Sequence, residues 1–178
     1  MLFRSPADAK LVFVGLAPGM HGANRTGRPF TGDYAGILLY ETLYELGLAT
    51  AGESISLDDG LKLKGTRIAN AVKCVPPENK PLPDEIRTCN AYLKIELGEL
   101  TRVKVLLALG RVAHDATLMA LGLKRSQFPF GHGNEHAVSE KLYLVDSYHC
   151  SRYNTSTKVL TVPMFKKVVK RASELAGL

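Results

Sequence analysis

The chain has 178 residues, 46% of them hydrophobic, a size that allows one domain with its own core and excludes two ordinary ones. Lys and Arg outnumber Asp and Glu by 23 to 17, so the formal net charge is +6 at pH 7 and a polyanion is a candidate partner. The sequence lacks both the run of about 20 apolar residues that a membrane span needs and the apolar core of a secretory signal. Its three cysteines, an odd number, argue against a disulfide framework. We therefore expect an intracellular protein with a single domain over residues 1–178.

Four short apolar or β-branched runs are typical of strands, and they cover residues 10–16, 66–70, 103–109 and 141–146. Helical patterns cover residues 34–48, 83–100, 111–121 and 162–175, and Thr31 or Asp33 is available to cap the first of them. This alternation predicts an α/β fold, a three-layer α/β/α arrangement around a central four-stranded, mainly parallel sheet. Sites in such sheets collect beyond the carboxyl ends of the strands. Those ends are followed by segments that begin at Leu16, Asn70, Gly110 and Ser147.

The first of these segments, residues 15–33, is rich in glycine, which allows the backbone to approach a ligand closely. It is not a nucleotide-binding P-loop, because the Gly-Lys-Ser/Thr ending is absent. Phe30 is its aromatic residue. The ring is able to stack on a planar ligand, and the alternative is that it anchors the loop to the core.

Two polar residues follow other predicted strands. Asn70 ends an apolar run, and its amide offers an acceptor and two donors that could read the edge of a base, although such residues often serve as turn or capping residues. His149 follows the last strand, where it could donate a hydrogen bond to a carbonyl oxygen that becomes negative as a leaving group departs. A purely structural role is the alternative for His149.

Two motifs carry a resemblance to a known family. The run from Gly15 to Asp33 closely resembles the first motif of the uracil-DNA glycosylase superfamily, specifically family 5, the B-type enzymes of bacteria and archaea. Ser147-Tyr148-His149 through Thr157 resembles the last motif of that family. The resemblance spans nearly the whole chain, from about Lys10 to the closing helix.

This resemblance implies a DNA-repair glycosylase that flips uracil out of DNA and hydrolyses its N-glycosidic bond to leave an abasic site. It also implies that hypoxanthine, and further substrates such as xanthine or oxidised pyrimidines, are accepted. The expected partner is double- or single-stranded DNA that contains such bases. We expect a monomer in the cytoplasm of a prokaryote, associated with the nucleoid.

The resemblance assigns a role to each pocket residue. Phe30 would stack on the flipped base, Asn70 would pair with its polar edge, and His149 would bind the uracil O2 as the bond breaks. Gly15 and Ala17 would complete the substrate-binding pocket.

Basic and wedge residues form a second group. In related enzymes the segment after the last motif's histidine pushes a wedge into the duplex, so Tyr153 or Arg152 is the candidate wedge and Ser151 a further DNA contact. The candidate phosphate contacts are Arg25, Arg28, Lys73 and Arg111. The alternative for each of them is to be a solvated surface charge without a role in binding.

One departure concerns the attacking water. Many relatives carry an acidic or amide side chain just after the first glycine of the loop, where this chain has Leu16 and Ala17. The resemblance implies that family 5 shares this absence and relies on stabilisation of the leaving group. His21, Asn24 and Asp33 are candidates to orient water, although each has the alternative of holding the loop in shape, which we favour for Asp33.

The resemblance also implies a 4Fe-4S cluster, which requires four thiolates. Cys74 and Cys89 match the later cysteine pair of families 4 and 5, whereas the earlier pair is missing. Two explanations stay open, namely that an N-terminal segment is lacking or that the cluster has been dispensed with. Cys150 is expected to be a small packing residue rather than a nucleophile.

Two other classes of function remain as alternatives. A catalytically silent DNA- or nucleobase-binding module of the same fold is compatible with the missing cysteines and with Ala17. The second alternative is an unrelated small-molecule hydrolase on a Rossmann-like sheet. The sequence does not support it, because it shows no Ser-His-Asp or metal-ligand spacing. No lysine is clearly placed to attack the sugar, so a glycosylase would use water and have no lyase activity.

Overall fold

The computed structural model describes residues 8–178, except for the Asn79 side chain. The strands in chain order are β1 (Leu11–Gly15), β2 (Thr66–Asn70), β3 (Val105–Leu109), β4 (Glu135–Ser139) and β5 (Leu142–Ser147). The helices are α1 (Ala23–Thr26), α2 (Tyr34–Glu45), α3 (Pro83–Gly98), α4 (Arg111–Ala120), α5 (Arg152–Ser156) and α6 (Val162–Ala176).

The strands form one sheet in the order β2-β1-β3-β5-β4, and every neighbouring pair is parallel except β4 and β5. The structure confirms the α/β class and each of the four predicted strands. The predicted number of strands is wrong, because the sheet has five. The additional strand, β4, lies at the edge of the sheet, where its residues alternate between exposed and partly buried. Its sequence, Glu-His-Ala-Val-Ser, carries few apolar side chains because only one of its faces packs against the protein.

Alternating residues along the strands divide the core into two layers, as expected for strands whose side chains point to opposite faces. Leu11 and Phe13 of β1 belong to the cluster that packs against α2 and α6. Val12 and Val14 belong to the cluster that packs against α3 and α4. The sheet is therefore covered on both faces, which confirms the predicted three-layer arrangement.

The four predicted helices begin at the predicted residues and end within three residues of the predicted positions. Asp33, one of the two candidate caps, begins α2 by accepting a hydrogen bond from Gly36 N at 2.9 Å. The short helices α1 and α5 were not predicted. Within residues 8–178, no helix has both the length and the apolar character needed to cross a membrane.

The sheet topology determines where a ligand can bind. β1 has β2 on one side and β3 on the other, so the chain changes its direction of winding at β1. Loops on opposite faces diverge at such a point and leave a crevice at the carboxyl ends of the strands. The glycine-rich loop follows β1, and His149 follows β5, so both lie at this edge.

Candidate active site

A cavity of about 460 Å³ lies at the carboxyl edge of the sheet. The glycine-rich loop supplies most of its wall, and Phe30 and His149 both border it. Ala17, His21 and Asp33 border it as well. Residues from the ends of β1 and β5 thus enclose one space.

The rings of Phe30 and His149 lie nearly parallel, with an interplanar angle of 28° and centroids 6.2 Å apart. Phe30 is 9% exposed and packs in the core cluster of the α2 and α6 face, so the ring both anchors the loop and lines the cavity. Its backbone is in the left-handed region, with φ of 56°. A bulky residue adopts that conformation only when its surroundings impose it.

The start of α2 imposes this position on Phe30. A Cβ added at Gly36 would lie 1.8 Å from Phe30 O, so only glycine allows the helix to approach the loop so closely. Tyr40 of the same helix donates a hydrogen bond from its hydroxyl to Pro29 O at 2.7 Å. The aromatic ring is therefore held by contacts with α2.

Asn70 lies beside Gly15 on the neighbouring strand rather than on the cavity wall. It is 2% exposed, and its Oδ1 accepts no hydrogen bond from any residue that the structure describes. A Cβ added at Gly15 would lie 2.7 Å from this Oδ1 and 2.7 Å from Phe30 Cζ. The amide and the aromatic ring therefore both contact Gly15. The structure thus places Phe30 and His149 on one cavity, and it places Asn70 next to Gly15, outside the cavity wall.

The environment of His149 determines its charge. Burial lowers the pKa of His149, and the nearby Asp33 carboxylate opposes this shift without reversing it. The imidazole is therefore neutral near pH 7 and still has one N–H to donate. Asn154 donates from Nδ2 to His149 O at 2.8 Å and so holds the backbone at this position.

The three candidates for orienting water separate in the structure. His21 and Asp33 border the cavity, whereas Asn24 is exposed and does not border it. Asp33 Oδ1 caps α2, and Asp33 Oδ2 faces the loop, 3.7 Å from the position of a Cβ added at Gly19. Asp33 thus has the structural role that the sequence favoured and also presents an oxygen to the site.

A second groove, of about 810 Å³, adjoins the cavity and shares Phe30 and Asp33 with it. Arg25 and Arg152 line this groove, and the Arg152 guanidinium lies 5.6 Å from the centre of the Tyr34 ring. Two of the candidate DNA contacts are therefore adjacent to the cavity.

The other candidates of the last motif lie at the start of α5. Ser151 accepts a hydrogen bond from Asn154 N at 3.3 Å and caps the helix. Tyr153 is 74% exposed. A large side chain that projects into solvent beside the groove has the position a wedge would need.

Arg28 is engaged within the protein, in contrast to its predicted contact with phosphate. Its guanidinium lies 3.0 Å from Asp59 Oδ1 and donates to Ser56 O and Leu57 O, both at 2.8 Å. The side chain is 13% exposed. These contacts fasten the glycine-rich loop to residues 56–61 and favour a structural role over a DNA contact.

The two other basic candidates also have partners. Lys73 Nζ lies 2.5 Å from Glu96 Oε2, and the Arg111 guanidinium lies 5.1 Å from the centre of the Phe130 ring. Lys73 is thus held in an ion pair, whereas Arg111 remains exposed.

The cysteines do not fit a four-iron cluster held by this chain. Cys74 is exposed and Cys89 is partly buried, but Cys150 lies wholly within the core. Burial raises the pKa of Cys150 to about 12, so it is a protonated packing residue, as predicted. Two thiols remain, and a cluster requires four thiolates.

The sequence did not point to one part of the cavity wall. Val75, Pro76 and Glu78 border the cavity, and Glu78 has a positive φ of 52°. Their segment follows the carboxyl end of β2, and that position was the available signal.

Comparisons with known proteins point to one enzyme family. The family described as Uracil DNA glycosylase superfamily has a sequence model that matches residues 3–173. The chain is 48% identical to a Type-5 uracil-DNA glycosylase of Thermus thermophilus, over 96% of this chain and 78% of that protein. It is 41% identical to a Type-5 uracil-DNA glycosylase of Pyrobaculum aerophilum, over 96% of this chain and 74% of that protein. A Type-4 uracil-DNA glycosylase of Thermotoga maritima is 37% identical over 60% of this chain and 47% of its own length.

Proposed function

Because the chain belongs to the uracil-DNA glycosylase superfamily, we propose that it removes uracil from DNA by hydrolysing the N-glycosidic bond and leaves an abasic site. The observation that supports this proposal is the position of Phe30 and His149 on one cavity, with Asn70 behind Gly15 at the same edge of the sheet. Their side chains offer a stacking surface, a neutral donor and an unpaired acceptor. A flipped base requires these three contacts.

The bond that breaks joins C1′ of the sugar to N1 of the base. Its electron pair moves into the base, where part of the negative charge develops on O2, while the sugar becomes oxocarbenium-like. A His149 N–H directed at O2 stabilises that charge more in the transition state than in the bound substrate. Because the imidazole is neutral, it donates this hydrogen bond without first having to be protonated.

Water completes the reaction by adding its oxygen to C1′ and releasing one proton to solvent, and the departing uracil anion takes up one proton from solvent. Leu16 and Ala17 offer no group for this step, so we assign the positioning of water to Asp33 and His21, which border the same cavity. A dissociative cleavage needs little assistance from the nucleophile, so positioning of the water is sufficient. Asn24 is not part of this assignment, because it lies outside the cavity.

DNA is the proposed partner, and the adjoining groove is the proposed path of its backbone. Arg25 and Arg152 supply positive charge next to the base cavity, and Tyr153 is the proposed wedge. Insertion of a ring into the vacated stack offsets part of the few kcal/mol that base extrusion costs. The proposed site of action is the chromosome of a prokaryotic cell, with the protein acting as a monomer.

The substrate range is proposed to extend to hypoxanthine. The cavity of about 460 Å³ is large enough for a purine. None of the proposed steps uses an iron-sulfur cluster. Iron analysis of the purified protein tests whether Cys74 and Cys89 contribute to one together with thiols from elsewhere.

The test is a cleavage assay with protein purified from a host that lacks its own uracil glycosylase. Duplexes that contain uracil, hypoxanthine or thymine at one position are incubated with the protein and then heated in alkali. We expect breaks at uracil and not at thymine, and we expect His149→Leu, which removes the donor, to lower the rate about 100-fold. Binding of uracil-containing DNA without release of uracil would refute the proposed activity and identify a silent binding module.

A further inference from the structure

Three metal-ligating side chains converge at a place that the proposed reaction does not use. His114 of α4, His136 of β4 and Asp146 of β5 each offer one ligand atom, and these atoms all lie within 4.8 Å of one another. His114 Nδ1 lies 2.7 Å from Asp146 Oδ1, and His136 Nε2 lies 3.3 Å from Asp146 Oδ2. None of the three residues borders the base cavity.

The surroundings hold these side chains in place. His114 Nε2 donates to Phe128 O at 2.9 Å, which directs Nδ1 towards Asp146. Gly131 N donates to Asp146 Oδ2 at 3.3 Å. A histidine that binds a metal through one nitrogen usually donates its other N–H to a carbonyl or carboxylate, and ligating carboxylates are themselves hydrogen-bonded. The cluster has both features.

The walls of this site are aromatic and exclude most solvent. Phe128 packs edge-on against the His136 ring, with centroids 5.7 Å apart, and Phe130 packs edge-on against the His114 ring at 5.5 Å. His114 and Asp146 are buried, whereas the His136 side chain is 12% exposed. An ion therefore has access past His136 on the edge strand.

We propose that His114, His136 and Asp146 bind one zinc ion. Two imidazoles and a carboxylate suit Zn²⁺, which prefers tetrahedral coordination and leaves a fourth position for water when the protein supplies three ligands. Bonds of about 2.0–2.1 Å from the zinc ion to its ligand atoms place the ligand atoms of a tetrahedral site about 3.3 Å from one another. His136 Nε2 and Asp146 Oδ2 have this separation. His114 Nδ1 contacts the other carboxylate oxygen, Oδ1, and moves away from it when the ion replaces the proton between them, which is released to solvent.

Bound zinc would join three separate elements of the fold. It would connect α4 to the inner strand β5 and fix the edge strand β4, which is attached to the sheet through β5 alone. Asp146 lies three residues before His149, so the ion would stabilise the strand end that positions the proposed donor. Its role is structural, because no substrate-facing group is among its ligands.

The experiment uses tag-free protein with Cys74→Ser and Cys89→Ser, which removes the two accessible thiols as competing ligands. After chelator treatment, Zn²⁺ is titrated in competition with a chromophoric chelator, and Co²⁺ is used as a spectroscopic probe. We expect one ion per chain, tetrahedral d–d bands for Co²⁺, and a higher melting temperature with zinc. His136→Gln, at the most exposed ligand, should weaken zinc binding roughly 100-fold.

The matched control is His132→Gln, because His132 lies close by in sequence but accepts a hydrogen bond from Tyr148 N and is outside the cluster. This variant should bind zinc as the parent does. The proposal is overturned if the parent binds no zinc, or if His136→Gln retains both the affinity and the Co²⁺ spectrum. In that case the three residues form a closed hydrogen-bonded network and nothing more. Circular dichroism checks that each variant folds.

Discussion

Replacement of Asn70 by leucine should raise stability and lower activity, and these opposite changes test the proposed role of the amide. Asn70 Oδ1 is buried and has no hydrogen-bond partner among the described residues. A buried unsatisfied polar group costs the folded state about 1–3 kcal/mol. Leucine has a similar shape and removes that cost, so we expect the free energy of unfolding to rise by about 1 kcal/mol. For a chain of this size the melting temperature should rise by about 3 °C.

The same substitution should impair cleavage of uracil-containing DNA. Leucine offers no hydrogen bond, so the polar edge of the flipped base would be buried without its partner. That loss is again about 1–3 kcal/mol, which corresponds to a decrease in kcat/KM of about 5- to 160-fold. Single-turnover cleavage of a labelled duplex measures the rate, and urea denaturation measures the stability.

Thr66→Val is the matched control. Thr66 Oγ1 is likewise buried without a described partner, and it lies at the opposite end of the same strand, β2. Valine has the same shape, so stability should increase while cleavage is unchanged. If Asn70→Leu retains full activity, the amide does not read the base. If it destabilises the protein while Thr66→Val stabilises it, the amide has a structural role and the reasoning fails.

Three further changes test other parts of the site. Because burial lowers the pKa of His149, kcat/KM should decrease with acidification only below pH 6.5. The variant His149→Gln keeps a donor but does not titrate, so its kcat/KM should not show this decrease. A rate that rises in acid would show that the imidazolium is the donor. Gly36→Ala should destabilise the protein by about 3 kcal/mol in thermal or urea unfolding, because the new methyl group would meet Phe30 O. The control Gly98→Ala places its methyl group in open space and should stabilise α3 by about 0.5 kcal/mol. Equal effects of the two substitutions would contradict the contact between Gly36 and Phe30 O. Tyr153→Ala should leave stability unchanged but reduce the rate of duplex DNA cleavage about 10-fold. The rate of single-stranded DNA cleavage should fall much less. Equal losses on both substrates would exclude a wedge.

Much of the fold could be predicted because its signals are local. The apolar run of β1 and the cap of α2 at Asp33 are each contained within a few residues, and both are confirmed. β4 could not be predicted, because an edge strand with one exposed face needs few apolar residues. Its pairing with β5 becomes apparent only once the sheet is assembled.

The site could be predicted only in part. The motifs indicated Phe30, Asn70 and His149, but not the contact of Gly36 with Phe30 O or the attachment of Arg28 to residues 56–61. Both contacts join segments that have no shared pattern in the sequence. The cluster of His114, His136 and Asp146 lacks any regular spacing for the same reason.

Three features of the site together indicate the kind of ligand that it would bind. Phe30 has a left-handed backbone, Asn70 Oδ1 is buried without a partner, and His149 is held neutral by burial. The left-handed backbone of Phe30 and the unpaired Asn70 Oδ1 lower stability, and both residues contact Gly15. Such strain persists where the surrounding structure imposes it, and it collects at functional sites. A ligand that matches these groups brings a planar ring for Phe30, a donor for Asn70 Oδ1 and an acceptor for the His149 N–H. Uracil has this combination in its ring, its N3–H and its O2, and thus the complementarity extends to the atom on which charge develops as the bond breaks.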